Sequence, residues 1–541
     1  MTQPVAPEQV ALTYHARTKH RLERYAAGPE TLDWDLQPDP FRTYAGCPLV
    51  PLALTADTIP SAFSGLGAGA QPAALSLMSV GALLELSMGL AAWKEYGPDR
   101  WALRCAPSSG NLHPTETYVL ARGIDGLADG VYHYAPRAHE LEQRGLVVAA
   151  AGQPGLWVGF SSVHWREAWK YGERGFRYCQ LDLGHALGAL RYAAAALGWS
   201  AQVLDNLSGA AMAALMGLDR EADFAGVEAE DADVLVAIGD SVRCAPNDAV
   251  VAWSGRANLL DGGKMYRWPI IDDVSVATRR IVTVMPERAQ VAAYPALVQL
   301  PGGRAADIML TRRSAQRFDA KFQMDSATFY HLLDRLLVRQ VAPWDVWTFQ
   351  PRLHPVFFVH RVEGLAPGLY ALPRHEAAEA GLRAQFKQDF TWQRPDGAPA
   401  HLPFFRLEAT DSRATARTLN CHQAIGRDAC FALAMVAEFG PIVAEDPWRY
   451  RQLHWEAGLI GHVLYLEAEA VGLRGTGIGC FFDDALHECL GLTGEDFQTL
   501  YHFALGRPVV DARIVSGDGY PGRRRDEAVV PVPGVEFGAG G

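Results

Sequence analysis

The stretch RCAPSSGNLHPTET (104–117) sets a proline, two small hydroxyl residues, a glycine and an asparagine between apolar runs. Pro107, Ser108, Ser109, Gly110 and Asn111 make a tight loop whose backbone can come close to something flat or anionic. A nucleoside-triphosphate loop needs a lysine after its glycines, and Leu112 and His113 stand there instead, which excludes that chemistry. His113 precedes a proline and reads as structural, because the same His-Pro pair recurs at His354 and Pro355. Two other groups have metal-like residue types. Asp483, Asp484 and His487 belong to DDALHECLGL, which reads as a capped amphipathic helix. CHQAIGRDAC (421–430) has too few ligands at helical intervals for zinc, so no metal site is expected.

The elements that position the loop must come from a large chain. Its 541 residues exceed one ordinary core and suggest two domains. Hydrophobic content of 49% and a net charge of -12 exclude a disordered chain and leave no basic excess for nucleic acid. Partners are expected among small molecules or proteins. The eight cysteines contain no CxxC pair, which favours free thiols in a reducing compartment. MTQPVAPEQV lacks the pattern of a signal peptide, and the longest apolar stretch, SVGALLELSMGLAAW, is short and carries Glu85; a cytoplasmic protein away from membranes is expected.

The chain repeats itself. In FRYCQLDLGHALGALRYAAAALGW (176–199) and WRYRQLHWEAGLIGHVLYLEAEAVGL (448–473), Arg177, Tyr178, Gln180 and Leu181 match Arg449, Tyr450, Gln452 and Leu453. Gly184 and Gly198 likewise match Gly458 and Gly472. Each segment has apolar residues at helical spacing and is expected to be the central helix of its domain. LHPTETYVL answers LHPVFFV as a buried strand, GVYHY answers GLYAL as a hairpin opening, and VLVAIGD answers LYHFALGR as a late strand. Helix, strand, hairpin, long helix and strand imply an α+β fold. The halves are expected at 1–270 and 305–541 with a linker at 271–304, and the end, from VSGDGYPG onward, as a surface-wrapping or frayed tail.

Taken together, TRRSAQRF from 311, the PSSGN loop, YGERGFRY (171–178) and GLRGTGIGCFFDDALHECLGL (472–492) resemble the nitroreductase superfamily of flavin enzymes. YHARTKHRLERY (14–25), the helix ALLELSMGLAAW and RCAPSSGNLHPTETYVL are similar to its SagB-type branch, the azoline or thiazole/oxazole dehydrogenases. The resemblance covers most of both halves. It implies two tandem domains, each a mostly antiparallel sheet flanked by helices, joined as an intrachain pseudo-dimer. It also implies FMN at the interface, with an Arg-x-Ser start, a late basic residue and a glycine turn from one unit, and the PSS loop from the other.

On that resemblance, the C-terminal half holds the phosphate parts: Arg312, Arg313 and Ser314 in TRRS, Arg507 in ALGRP, and Gly477, Ile478 and Gly479 within the GTGIG turn. Arginine forks suit a phosphate dianion. The N-terminal half offers DPFRTY with Arg42, Asp240 and the glycine-free WSAQVLDN at the matching places. Conversely, VWTFQPR, with Trp347 and Phe349, replaces the PSSGN loop in the C-terminal half. One complete site per chain, with about one FMN, is expected. Read without the resemblance, TRRS suits a polar helix start and GTGIG a loop ending the long helix.

Lys170 and Tyr171 resemble the Lys-Tyr pair that the azoline dehydrogenase branch uses near its flavin, which implies proton removal by a group of lowered pKa beside hydride transfer. The resulting expectation is an FMN-dependent oxidoreductase acting on a ring or C–N bond of a peptide-derived or other natural-product intermediate, alongside other enzymes of a biosynthetic pathway. Two alternatives stand beside it: an NAD(P)H-dependent nitro or quinone reductase, and a flavin-free scaffold of a biosynthetic complex. The chain is expected as a monomeric pseudo-dimer or a homo-oligomer.

Overall fold

A computed structural model describes residues 5–67, 69–148, 152–239, 245–246, 248–281, 292–295 and 302–523. Each half is built on six strands, β1–β6 in the first and β7–β12 in the second. They are β1 Thr115–Arg122, β2 Gly130–Ala135, β3 Glu140–Val147, β4 Gly155–Ser162, β5 Ala201–Val203 and β6 Asp231–Ile238. Their counterparts are β7 Leu353–Val359, β8 Gly368–Ala371, β9 Phe405–Ala409, β10 Phe431–Glu438, β11 Arg474–Ile478 and β12 Phe497–Gly506. The first set runs β3-β2-β1-β4-β6-β5 across its sheet and the second β9-β8-β7-β10-β12-β11, every pairing antiparallel. The α+β fold is therefore made twice with one topology. In the first sheet, Leu49–Pro51 and Val250–Trp253 add two further strands against β3.

Two long helices join the halves: α1, Gly175–Ala196, and α2, Arg449–Ala470. Every residue of α1 is buried, because one side faces its own sheet and the other faces α2. Its polar residues are buried with partners outside the helix: Arg177 with Asp483, Asp182 with Ser109 and Arg191 with Asp345. The two cross where their repeat glycines meet. A Cβ on Gly184 would run into the Trp455 carbonyl and lie 2.8 Å from the Cα of Gly458; one on Gly458 would meet the Leu181 carbonyl. Ion pairs then tie each half to the other in reciprocal fashion. Arg174 and Arg177 reach Asp483 at 3.1 and 3.0 Å, while Arg451 reaches Asp231 and Asp233, both at 2.7 Å.

One local expectation changes and two gain detail. ALLELSMGLAAW is not one helix: the helix Leu77–Ser87 ends there, and Leu90–Tyr96 leaves as a strand. The stretch assigned to a linker opens with a helix, Pro269–Ala277, and much of the remainder lies outside the described residues. The tail from Val515 to Arg523 straps back onto the first half, where Val515–Gly517 pairs with Leu90–Tyr96 and the Tyr520 hydroxyl accepts from the Leu90 N–H at 2.9 Å. Residues beyond 523 lie outside the described residues.

Candidate functional site

The PSSGN loop follows the strand Asp99–Arg104 and leads into β1. Gly110, Asn111 and His113 have φ of 60°, 61° and 52°, an unusual density of left-handed backbone for four residues, of a kind that clusters at sites. Side chains hold the strained turn in place. The Asp182 carboxylate on α1 accepts from the Ser109 N–H at 3.0 Å and from its hydroxyl at 2.9 Å. Ser108 Oγ accepts the His113 N–H at 2.8 Å, and Asn111 donates to the Ala102 carbonyl at 2.8 Å. Asn111 and His113 thus brace the loop from behind. The tightness has a local reason too, since a Cβ on Gly110 would lie 2.5 Å from Tyr171 Oη and 3.1 Å from Lys170 Nζ.

Opposite the loop stands β11, the edge strand that the GTGIG residues form. The sequence reading made them a turn; instead they pair with β12 alone and offer their other edge inward. Tyr465 Oη on α2 accepts the Gly477 N–H at 2.8 Å and shares a hydrogen bond with Ser314 Oγ at 2.9 Å. Side chains at Gly477 and Gly479 would collide with the Tyr501 hydroxyl and the Tyr178 ring. Between loop and strand lies a cavity of about 300 Å³, lined from the first half by Pro107 to Gly110, Tyr171, Tyr178, Asp182 and His185. The second half contributes Ser314, Tyr465, Thr476 to Cys480 and Tyr501.

A second cavity of about 260 Å³ shares Pro107, Ser108 and Ser314 with the first. Its walls carry Lys94, Arg104, Arg312, Arg313 and Arg474, against the single acid Asp511. TRRS does not start a helix: Arg312 closes the helix Ala305–Thr311, and the turn there aims its guanidinium across to the first half. Its Nε and one Nη donate to the carbonyls of Cys105 and Arg104 at 3.0 and 3.2 Å, while Nη1 is buried with no hydrogen-bond partner among the described residues. Arg313 donates to the carbonyls of Leu310, Arg312 and Ala91. No carboxylate pairs with Arg104, Arg312 or Arg313 among the described residues. Burial lowers the pKa of all three, to about 10 for Arg104 and Arg313, with Glu116 opposing the shift at Arg104 and Glu469 at Arg312 and Arg313. An orphaned guanidinium nitrogen in a basic recess suits a phosphate, and the glycine edge beside it leaves room for a flat ring.

The structure brings together every predicted site residue except Arg507 and Lys170. Arg507 is exposed, with its guanidinium 3.8 Å above the Phe322 ring, and Arg474, at the head of the GTGIG strand, takes a place in the basic recess instead. Lys170 does not line the cavity but stands behind Gly110, its ammonium 5.4 Å from the Trp34 ring centroid and 5.5 Å from that of Tyr171. Of the two candidates for the group of lowered pKa, only Lys170 is lowered. Burial lowers Lys170, whereas burial, with Glu167 nearby, raises Tyr171 well above the ordinary phenol value. Asp182, missed in the sequence, is raised by burial to about 7, with hydrogen bonds from Ser108 and Ser109 opposing the shift. A charged residue on an otherwise apolar helix face was the available signal. His185 and Tyr501, hydrogen-bonded at 3.0 Å, complete the floor, and burial lowers His185 to about 3.

The pseudo-symmetric place in the other direction is shut. There β5 faces the segment Trp344–Val346, and Trp347 and Phe349 are both buried, their ring centroids 5.2 Å apart. Arg191 on α1 clamps Asp345 at 2.7 Å. Arg42 is no phosphate ligand here: fully buried, it pairs with Glu230 at 3.0 Å and donates to the carbonyls of Asn258 and Glu228. Asp240 lies outside the described residues.

His354, His375 and Glu438 form a group with ligand-like spacing. Each Nδ1 accepts a backbone N–H, from Arg374 and Ala378, both at 3.1 Å, so each Nε2 carries the proton and donates to Glu438 Oε1 at 3.1 and 2.7 Å. Metal-bound histidines use the opposite arrangement, with the second nitrogen donating. The group is a hydrogen-bonded brace, in keeping with the structural reading of His354. Asp483 is likewise taken up by arginines at the start of the helix Asp483–Leu490.

The fold defines two fused α+β units, and the paired cavities lie between them. Residues 80–227 match the model of the nitroreductase family. A protein of Methanocaldococcus jannaschii assigned as a nitroreductase is 32% identical over 129 residues, which cover 21% of this chain and 64% of that relative; the chain thus spans just under two thirds of its length. The crystal structure of a protein from Anabaena variabilis, also assigned as a nitroreductase, superposes with a TM-score of 0.67 at 22% identity, over 92% of this chain and 99% of that one. That likeness establishes the doubled fold over almost the whole length.

Proposed function

We propose that the chain is an FMN-dependent oxidoreductase of the SagB type, holding about one FMN between its halves and oxidising a ring or C–N bond of a peptide-derived or other natural-product intermediate. The observation that carries this reading is the pairing of a glycine-edged cavity with a basic recess that contains an unpartnered, buried Arg312 nitrogen. Arg312, Arg313, Arg474 and Lys94 would hold the phosphate, while Pro107 to Gly110 and Gly477 to Gly479 would border the ring. When bound, FMN supplies a two-electron hydride acceptor.

The chain's own residues handle the proton. Lys170, its pKa lowered by burial, reaches the neutral amine more readily than an exposed lysine and would be the better acceptor of the pair for a proton delivered past Gly110, behind which it stands. Tyr171 stays protonated on the cavity wall, where its hydroxyl would be a hydrogen-bond donor to a bound substrate. Asp182 anchors Ser109 and so fixes the loop at the other border. The match of residues 80–227 to the nitroreductase family favours a second reading, NAD(P)H-dependent reduction of a nitro compound or quinone. The test is anaerobic bleaching of the yellow purified protein. Bleaching by an azoline-containing peptide and not by NADPH is expected. Bleaching by NADPH followed by turnover with a nitroarene would establish the second reading, and a colourless protein that takes up no FMN would overturn both.

A further inference from the structure

A reactive side chain on the cavity wall, with others packed behind it, has no part in the reading above. Cys480 follows Gly479 and lines the cavity, which reaches the surface at exposed Gly110 and Gln423. The segment 419–423 crosses directly beside it: the Phe482 N–H donates to the Leu419 carbonyl at 2.9 Å, and Gln423 Nε2 donates to the Cys480 carbonyl at 3.4 Å. Cys421, bracketed by those contacts, is thereby set against Cys480, and its backbone is held at a φ of 51°, as is that of His422 at 60°. Both thiols are free and half-buried. From the other half, His20 is fixed by a parallel bridge to Phe482 and by the Ala26 N–H, which donates to its Nδ1 at 2.9 Å. Nε2 therefore carries the imidazole proton and faces the Cys480 sulfur. Arg174 stands next to it, donating to the Gly479 carbonyl at 3.2 Å.

We propose that Cys480 and Cys421 are a dithiol–disulfide site that reacts with a low-molecular-weight disulfide of the glutathione class entering the cavity. The Cys480 thiolate attacks one sulfur of the incoming disulfide, forming a mixed disulfide and releasing one thiolate. Cys421 then loses its proton and attacks the Cys480 sulfur, closing the Cys421–Cys480 bond and releasing the second thiolate. The protein dithiol is oxidised by two electrons, and the small disulfide is reduced to two thiols. The order follows from the surroundings. Cys421, His20 and Arg174 together bring Cys480 down to about 5, despite opposing burial, while the neighbouring Cys480 and burial raise Cys421. A flavin in the cavity would compete with the incoming disulfide, so the reaction is expected in the flavin-free protein and slower once FMN is added.

The test treats the full-length protein with oxidised glutathione, traps free thiols with acid and an alkylating agent, and maps the peptides by mass spectrometry. Wild type is expected to yield a 421–480 crosslink, and Cys421→Ser a stable glutathione adduct on Cys480. Cys480→Ser should leave Cys421 free, and His20→Ala should slow adduct formation about tenfold by removing the hydrogen bond that favours the thiolate. Half-buried Cys47 and Cys489 serve as internal references in every digest, and circular dichroism checks folding. The proposal is overturned if Cys480 in folded wild type reacts no faster than these references, or if Cys421 takes the adduct at the wild-type rate when Cys480 is serine.

Discussion

Single side chains divide into those that hold the site and those that react in it. Arg312 is the clearest of the first kind, because two backbone carbonyls fix its guanidinium and leave one buried nitrogen free. Arg312→Ala is expected to weaken FMN retention by about 1.5–3 kcal/mol, the worth of a hydrogen bond to a charged group. Arg507→Ala, which alters an exposed cation over Phe322, should change retention little. Equilibrium dialysis of FMN against both variants checks the pair, and equal losses would place the phosphate elsewhere. Arg42→Ala is not a suitable control. It would leave buried Glu230 unpaired at a cost of about 3–5 kcal/mol in stability. Among reactive groups, Lys170→Ala should slow substrate-dependent flavin reduction about 10²- to 10⁴-fold, and Tyr171→Phe about tenfold, with flavin content unchanged in both. Wild-type bleaching rates in the two variants would mean that Lys170 is a solvated cation and Tyr171 a packing ring.

Elements were more legible in the sequence than contacts. The repeat at Gly184 and Gly458 gave both central helices, and their crossing explains why glycine stands there twice. Short-range punctuation misled at TRRS, where polar residues that suit a helix start proved to end one, and at GTGIG, where glycines drawn as a turn form an edge strand. In both places partners remote in sequence decided: Arg104 and Cys105 for Arg312, and Tyr465 with β12 for the strand. Asp182 stood out only as a charge on a buried helix, and Tyr465 and Tyr501 had no local mark that separated them from core aromatics. The first sheet also carries a titrating brace. On β2, burial would lower His133, but its hydrogen bonds to Glu116 and Glu142, at 3.1 and 2.8 Å, prevail and raise it to about 9. A folded value above the unfolded one of about 6.5 means stability that is full below pH 6.5 and lost as pH rises through 9. Urea midpoints should therefore fall between pH 6 and pH 9.5, by on the order of 2–3 kcal/mol from this group. His133→Asn should flatten that part of the slope, and an unchanged slope would assign the titration to other groups.

At the scale of the whole chain, fusing two copies of one topology creates two equivalent places between them, and the halves have treated these places differently. One retains the loop, the glycine edge and the basic recess, drawn from both halves. In the other, Trp347 and Phe349 fill the position of the loop, Arg191 locks Asp345, and β5 has no glycine to open its edge. A flavin there would have to displace two buried aromatic side chains, and truncating such a side chain alone costs about 3–5 kcal/mol. It would then meet DPFRTY in place of an Arg-x-Ser, with Arg42 already committed to Glu230. Flavin absorbance against protein mass is therefore expected to give about one FMN per chain. Trp347→Ala should not raise that number, because removing the obstruction supplies no phosphate ligand. A stoichiometry near two in the wild type would overturn the division of labour between the halves, and a rise from one to two in Trp347→Ala would show that the ring pocket, rather than the phosphate recess, limits binding.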